Sequence, residues 1–148
     1  MSAPTFTIRV YGLLLVQQQI LLSREHIRGR CYTKFPGGGL EYGEGTLDCL
    51  RREWQEEASL AIEPIAHFYT TEDFVPSAFG AHTQVISIYY TVKAQEWDKL
   101  PVVKSPEDHQ LLQDGDQQFF WRPMASLSPQ DVDLPIDREV VRRLLAQR

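Results

Sequence analysis

With 148 residues, 43% of them apolar, the chain can bury one core and is short for two domains. Its net charge of −5 argues against the basic face that nonspecific nucleic-acid binding requires. No apolar run is long enough to span a bilayer, and the N-terminus lacks the basic-then-apolar layout of a signal peptide, so no membrane partner is expected.

Residues 7–16 are apolar and β-branched, as a strand requires, and Gln17-Gln18-Gln19 makes a polar turn into an antiparallel partner at 20–23. A short strand at 32–35 leads into Pro36-Gly37-Gly38-Gly39, where the backbone can turn tightly and approach a ligand closely. Gly43 and Gly45 bracket Glu44 and stop the strand, and Gly45 is an acceptable N-cap for the helix that follows. Strands are expected at 62–71 and 84–93, then a polar, acidic loop at 104–116. A last strand at 118–122 precedes a closing amphipathic helix at 136–145, with Pro135 near its start and Val140, Val141, Leu144 and Leu145 on its apolar face. Strands interspersed with a few helices imply an α/β protein, a mixed sheet between helices.

The helix after Gly45 carries the chemistry. Glu53, Glu56 and Glu57 stand at i, i+3 and i+4, side by side on one face. At about 100° per residue they form an acidic stripe roughly 100° wide. Leu47, Leu50, Trp54 and Ala58 form the adjoining apolar stripe, suited to docking on a sheet. Like charges so placed weaken a helix by roughly 0.2–0.5 kcal/mol per pair. A divalent cation would offset that repulsion, and all-oxygen donors suit magnesium, with manganese as a substitute. A bare Glu-x-x-Glu-Glu is usually a solvated helix face. The glycines, Glu44 and Arg52 in fixed register make it a signature.

Gly38, five residues, Glu44, seven residues, then Arg52-Glu53-Trp54-Gln55-Glu56-Glu57 and the apolar Leu60 resemble the Nudix box. One position departs: Ser59 stands where the box usually has glycine. The resemblance implies a single Nudix hydrolase domain over residues 1–148, built as an α/β/α sandwich with a mixed β-sheet. It implies hydrolysis of the diphosphate in a nucleoside diphosphate derivative, with the Gly37 carbonyl as a metal ligand beside Glu53, Glu56 and Glu57. Arg52, about 100° from Glu53 on the helix, is expected to hold a carboxylate in place and not to touch the metal.

Magnesium would neutralise the diphosphate and make a bound water more acidic. The base that takes the water's proton stays open: Glu56, or, as relatives often use a late loop, one of Glu107, Asp108, Asp114 and Asp116. Arg24, Arg28, Arg30 and Lys34 lie just upstream of the box, and Arg24, Arg28 and Lys34 are the candidates for meeting phosphate oxygens. Phe68, Tyr69, Phe74, Phe79 and Trp121 could stack on a base, although core packing is the default for each. His26, His67, His82 and His109 form no ligand pair, and Cys31 and Cys49 lack CxxC spacing, so a reducing cytoplasm is the expected setting. The expected partner is a nucleotide-type small molecule, and the resemblance adds a homodimer. The competing reading is a Nudix-like sensor that binds a nucleotide without cutting it. Such domains usually lose box carboxylates, whereas this chain keeps Glu44, Glu53, Glu56 and Glu57.

Overall fold

The computed structural model describes residues 3–107, 110–111 and 113–147. In chain order the strands are β1 Thr5–Val16, β2 Gln19–Ile27, β3 Arg30–Lys34, β4 Gly37–Gly39, β5 Glu63–Thr70, β6 Thr83–Lys93 and β7 Gln117–Pro123. The helices are α1 Thr46–Ala58 and α2 Pro135–Ala146. A mixed sheet with two helices makes the fold α/β, as expected. No helix among the described residues is long and apolar enough to cross a membrane.

The chain forms two compact units. One combines Met1–Leu13 with Gly37–Trp97. Here β1 pairs antiparallel with β4 in the register Arg9↔Gly39, Val10↔Gly38, Tyr11↔Gly37. The glycine run expected as a turn is thus a short strand, because β1 supplies hydrogen-bonding partners. On its other side β1 has β6, which pairs antiparallel with β5. Helix α1 buries Cys49, Leu50, Trp54 and Ala58. Leu47, the outer member of the expected apolar stripe, stays 39% exposed. A Cβ on Gly12 would come within 2.9 Å of the Trp54 indole, so the missing side chain lets α1 seat on β1.

The other unit combines Leu14–Pro36 with Asp98–Arg148. Gln17 and Gln18 both take positive φ, 51° and 63°, and fold the end of β1 tightly onto β2. β2 is flanked by β3 and β7, antiparallel to both. Leu21, Leu22, Phe119, Phe120, Val132, Val140 and Val141 are among its buried apolar residues. Proline occupies the first turn of α2, as anticipated.

Candidate active site

Helix α1 starts at Gly45, whose φ of −82° and ψ of 172° are those of an N-cap, with no side chain to cap it. Glu44 therefore stands beside unpaired N–H groups at the positive end of the helix, where a carboxylate is favoured. Its Oε1 accepts a bond from the Glu41 N–H at 2.9 Å, which closes the turn through Tyr42 and Gly43.

Arg52, two turns into α1, is the hub. Its Nε donates to Glu44 Oε2 at 2.9 Å and its Nη2 to Glu44 Oε1 at 2.6 Å. Nη2 also donates to the Gly39 carbonyl at 3.0 Å. Nη1 donates to Glu53 Oε1 at 3.0 Å and to Glu56 Oε2 at 3.2 Å, and lies 3.6 Å from Glu41 Oε1. One guanidinium thus ties the glycine strand, the turn and two of the acidic-stripe carboxylates together. The sequence pointed to one carboxylate as the partner of Arg52, and the bonds reach Glu44, Glu53 and Glu56.

The charges set the acidities. Hydrogen bonds from Arg52, then from the Glu41 backbone, hold the Glu44 carboxyl at about 2, below its ordinary 4.5. The same pairing, Glu44 first and then Glu53, raises the Arg52 guanidinium further above neutrality. Cys49 lies beside them, its Sγ 3.5 Å from the Gly39 carbonyl. Burial, and then the neighbouring Glu44 carboxylate, push its thiol up to about 12.

Glu53 is set by glycine. A Cβ on Gly38 would fall inside the Glu53 carboxylate, so only glycine lets that carboxylate lie against the β4 backbone. Glu53 is 13% exposed and Glu56 59%, so the stripe runs from a tucked acid to an open one. Glu57 is half-buried on the same face.

No three His, Cys, Asp or Glu groups among the described residues converge as a ready-made metal cage. The donor chemistry nevertheless fits magnesium or manganese. The stripe offers carboxylate oxygens only, and one cationic group, Arg52 Nη1, already bridges two of them.

Gly37, Arg52, Glu53, Glu56 and Glu57 all lie in the first unit. The cations singled out for phosphate lie in the second. Arg24 is bound to Thr33 Oγ1 at 2.7 Å and to Asp133 Oδ2 at 3.1 Å. The Lys34 ammonium is buried, 3.4 Å from Glu25 Oε1. Arg28 is exposed in the β2–β3 turn, at a φ of 50°.

Of the candidate bases outside α1, Asp114 accepts from the Gly29 N–H at 3.4 Å and meets His26 Nδ1 at 2.9 Å, which fastens it to that turn. Asp116 accepts from the Gln113 N–H at 2.9 Å, Glu107 is exposed, and Asp108 lies outside the described residues. Among the aromatic candidates, Tyr69 is buried beside Tyr89, and Phe68, Phe79 and Trp121 are half-buried. Phe74 is 73% exposed and shares a shallow cleft of about 240 Å³ with Phe6.

The sequence reading missed Glu41 and the Gly39 carbonyl. Glu41 carried one usable signal, its place three residues before Glu44 across a glycine turn. The carbonyl carried none, since a backbone acceptor shows only once the strand is folded.

The model of the NUDIX domain family matches residues 5–144. The chain belongs to the NUDIX domain family. With the family goes hydrolysis of a pyrophosphate linkage. An RNA pyrophosphohydrolase of Francisella tularensis subsp. mediasiatica (strain FSC147) is 27% identical over 140 residues, which cover 90% of this chain and 88% of that protein. A NUDIX hydrolase from Nitrosomonas europaea has a TM-score of 0.70 and 17% identity, covering 95% of this chain and 89% of the other. The MutT protein from Methanosarcina mazei Go1 has a TM-score of 0.67 and 18% identity, covering 99% and 97%. At those identities the structural matches speak for the fold, and they agree with the Nudix arrangement implied by the box.

Proposed function

We propose that this NUDIX chain, one domain over residues 1–148, hydrolyses the diphosphate linkage of a nucleoside diphosphate derivative with magnesium or manganese. A nucleoside triphosphate, a nucleotide sugar and a dinucleotide are the substrates in view. The observation that carries the reading is the Arg52 hub, which gathers Glu44, Glu53 and Glu56 against the Gly39 carbonyl. Glu53, Glu56, Glu57 and the Gly37 carbonyl would hold the metal. When bound, magnesium supplies charge neutralisation at the diphosphate and a more acidic water.

The protein's own residues do the rest. Arg52 keeps Glu53 and Glu56 from splaying toward solvent and fixes their oxygens relative to β4. Glu56, the most open of the three acids, is the one placed to exchange a proton with water. The net charge of −5 favours small nucleotides over long polynucleotides as substrates. The name of the Francisella relative nevertheless puts an RNA with a pyrophosphate linkage on the panel to be tested. The family resemblance supports a homodimer, and Cys31 and Cys49, two cysteines without CxxC spacing, suit a reducing cytoplasm. Sedimentation of the purified chain tests the dimer.

The deciding experiment incubates the chain with that panel and magnesium and follows cleavage at phosphorus, with and without a chelator. Metal-dependent release of a nucleoside monophosphate or of pyrophosphate is expected, and Glu56→Gln should cut turnover by orders of magnitude while leaving the fold intact. Nucleotide binding without cleavage of any compound would replace this reading by that of a sensor.

A further inference from the structure

A guanidinium carries five N–H donors, and in Arg52 each of them already has an acceptor. Nε and one hydrogen of Nη2 go to Glu44, and the second hydrogen of Nη2 goes to the Gly39 carbonyl. The two hydrogens of Nη1 go to Glu53 at 3.0 Å and to Glu56 at 3.2 Å. Glu41 Oε1 nevertheless lies 3.6 Å from Nη1, within ion-pair distance and just beyond a hydrogen bond. Three carboxylates thus face a nitrogen that can serve two.

The backbone fixes where Glu41 stands. Its N–H donates to Glu44 Oε1 at 2.9 Å, and its carbonyl accepts from the Glu44 N–H at 3.2 Å. Gly43, at a φ of 96°, closes that turn, and the Leu40 N–H ties the preceding residue to the Ile8 carbonyl at 2.9 Å. Arg52 grips the same Glu44 carboxylate, so the guanidinium and the Glu41 backbone share one partner. The Glu41 side chain is 68% exposed and can close the short gap to Nη1 without displacing packed neighbours.

We infer that Glu41 is the reserve acceptor of the hub, to which Arg52 Nη1 turns when a divalent cation takes an oxygen of Glu56. The inference rests on the metal-dependent reading above. Of the two Nη1 bonds, the one to Glu56 is the longer, and Glu56 is 59% exposed against 13% for Glu53. A cation on the Glu56 carboxylate repels the guanidinium that shares it and makes that carboxylate a poorer acceptor. Glu41 then receives the released N–H and keeps the charge of Arg52 neutralised, while the bonds to Glu44 and Glu53 stay in place. Glu41 is thus a positioning residue that acts on the metal through Arg52.

The test follows manganese binding, read from the paramagnetic signal of the free ion, in the wild-type chain, Glu41→Gln, Arg52→Lys and the double variant. Glu41→Gln should weaken binding about threefold to fivefold, the scale of a part-exposed ion pair. In the Arg52→Lys background the same substitution should make almost no further difference, because the guanidinium through which Glu41 acts is gone. Equal affinity in wild type and Glu41→Gln would overturn the inference. So would an equal loss in both backgrounds, which would make Glu41 a direct ligand or a plain attractive charge. Manganese-soaked crystals of the wild type supply a check that needs no variant. There Nη1 should come within about 3.2 Å of Glu41 Oε1 and draw away from Glu56. A gap that stays at 3.6 Å or widens would count against the handover. A wild-type chain that binds no manganese would overturn the metal-dependent reading with it.

Discussion

Arg52 grips Glu44 through two bonds in parallel, Nε to Oε2 at 2.9 Å and Nη2 to Oε1 at 2.6 Å. The fork matters because the third guanidinium nitrogen, Nη1, is thereby turned onto Glu53 and Glu56. Lysine offers a compact point charge and no fork, so it cannot make the paired bonds to Glu44 while a separate nitrogen reaches Glu53 and Glu56. Arg52→Lys is expected to fold and to lower turnover at saturating magnesium by about 10–100-fold, the usual cost of removing a group that orients metal ligands. Steady-state rates across a magnesium series check this. Full turnover in Arg52→Lys would show that the hub is a surface ion-pair network with no part in the reaction.

Gly38 tests the other constraint on Glu53. Its Cβ position coincides with the Glu53 carboxylate, so Gly38→Ala must displace either the acid or strand β4. Overpacking of this kind costs roughly 1–3 kcal/mol, and the displaced acid should take turnover down with it. Gly45 is the matched control, because nothing lies within 4 Å of its Cβ position. Gly45→Ser adds a capping hydroxyl to α1 and should leave stability unchanged or raise it by about a few tenths of a kcal/mol. Urea unfolding and turnover on both variants decide the matter. A Gly38→Ala enzyme as stable and active as wild type would contradict the packing described.

Acid should expose the Glu44 pairing. The folded-state value of about 2 lies below the ordinary 4.5, so the pairing adds stability that is fully present above pH 4.5. That contribution fades as pH falls from 4.5 toward 2, where the folded carboxyl takes up its proton. Glu44→Gln cannot titrate and should lose less stability than wild type across that window, starting from a lower level. Melting temperatures measured between about pH 2 and 6 compare the two slopes. Parallel curves would mean that Arg52 does not hold Glu44 in solution.

Much of this was legible in the sequence because it rests on local rules. The spacing of Glu53, Glu56 and Glu57 fixed their helix face, and Gly45 and Pro135 marked where helices begin. What could not be read depends on strand register. Opposite β1, the run Gly37–Gly39 is a paired strand, and a glycine run carries no side-chain pattern from which to infer pairing. Arg24 and Lys34 looked available as cations until folding brought Asp133 and Glu25 against them. Chain proximity put the acids together on α1, since a helix is local, and said little about the cations, which meet their partners through strand pairing or across long stretches of sequence.

Ser59 is where the chain departs from the usual box, and the structure shows the consequence. The residue ends α1 with φ 49° and ψ 38°, the left-handed conformation that glycine adopts freely. Its N–H donates to the Gln55 carbonyl at 3.1 Å, and the Leu60 N–H donates to the Trp54 carbonyl at 3.4 Å, so the cap forms despite the side chain. Holding a non-glycine residue there costs roughly 1–2 kcal/mol, partly offset because serine loses less backbone freedom on folding than glycine does. Ser59→Gly is therefore expected to stabilise the protein by about 1 kcal/mol, which for this length raises the melting temperature by roughly 3 °C. Turnover should not change, because Ser59 is exposed and Glu53 and Glu56 are held from Arg52. Calorimetry and a rate measurement on the one variant test both halves. A lower melting temperature would show that the serine stabilises this exit from the helix, and a changed rate would mean that the exit from α1 reaches the acidic stripe.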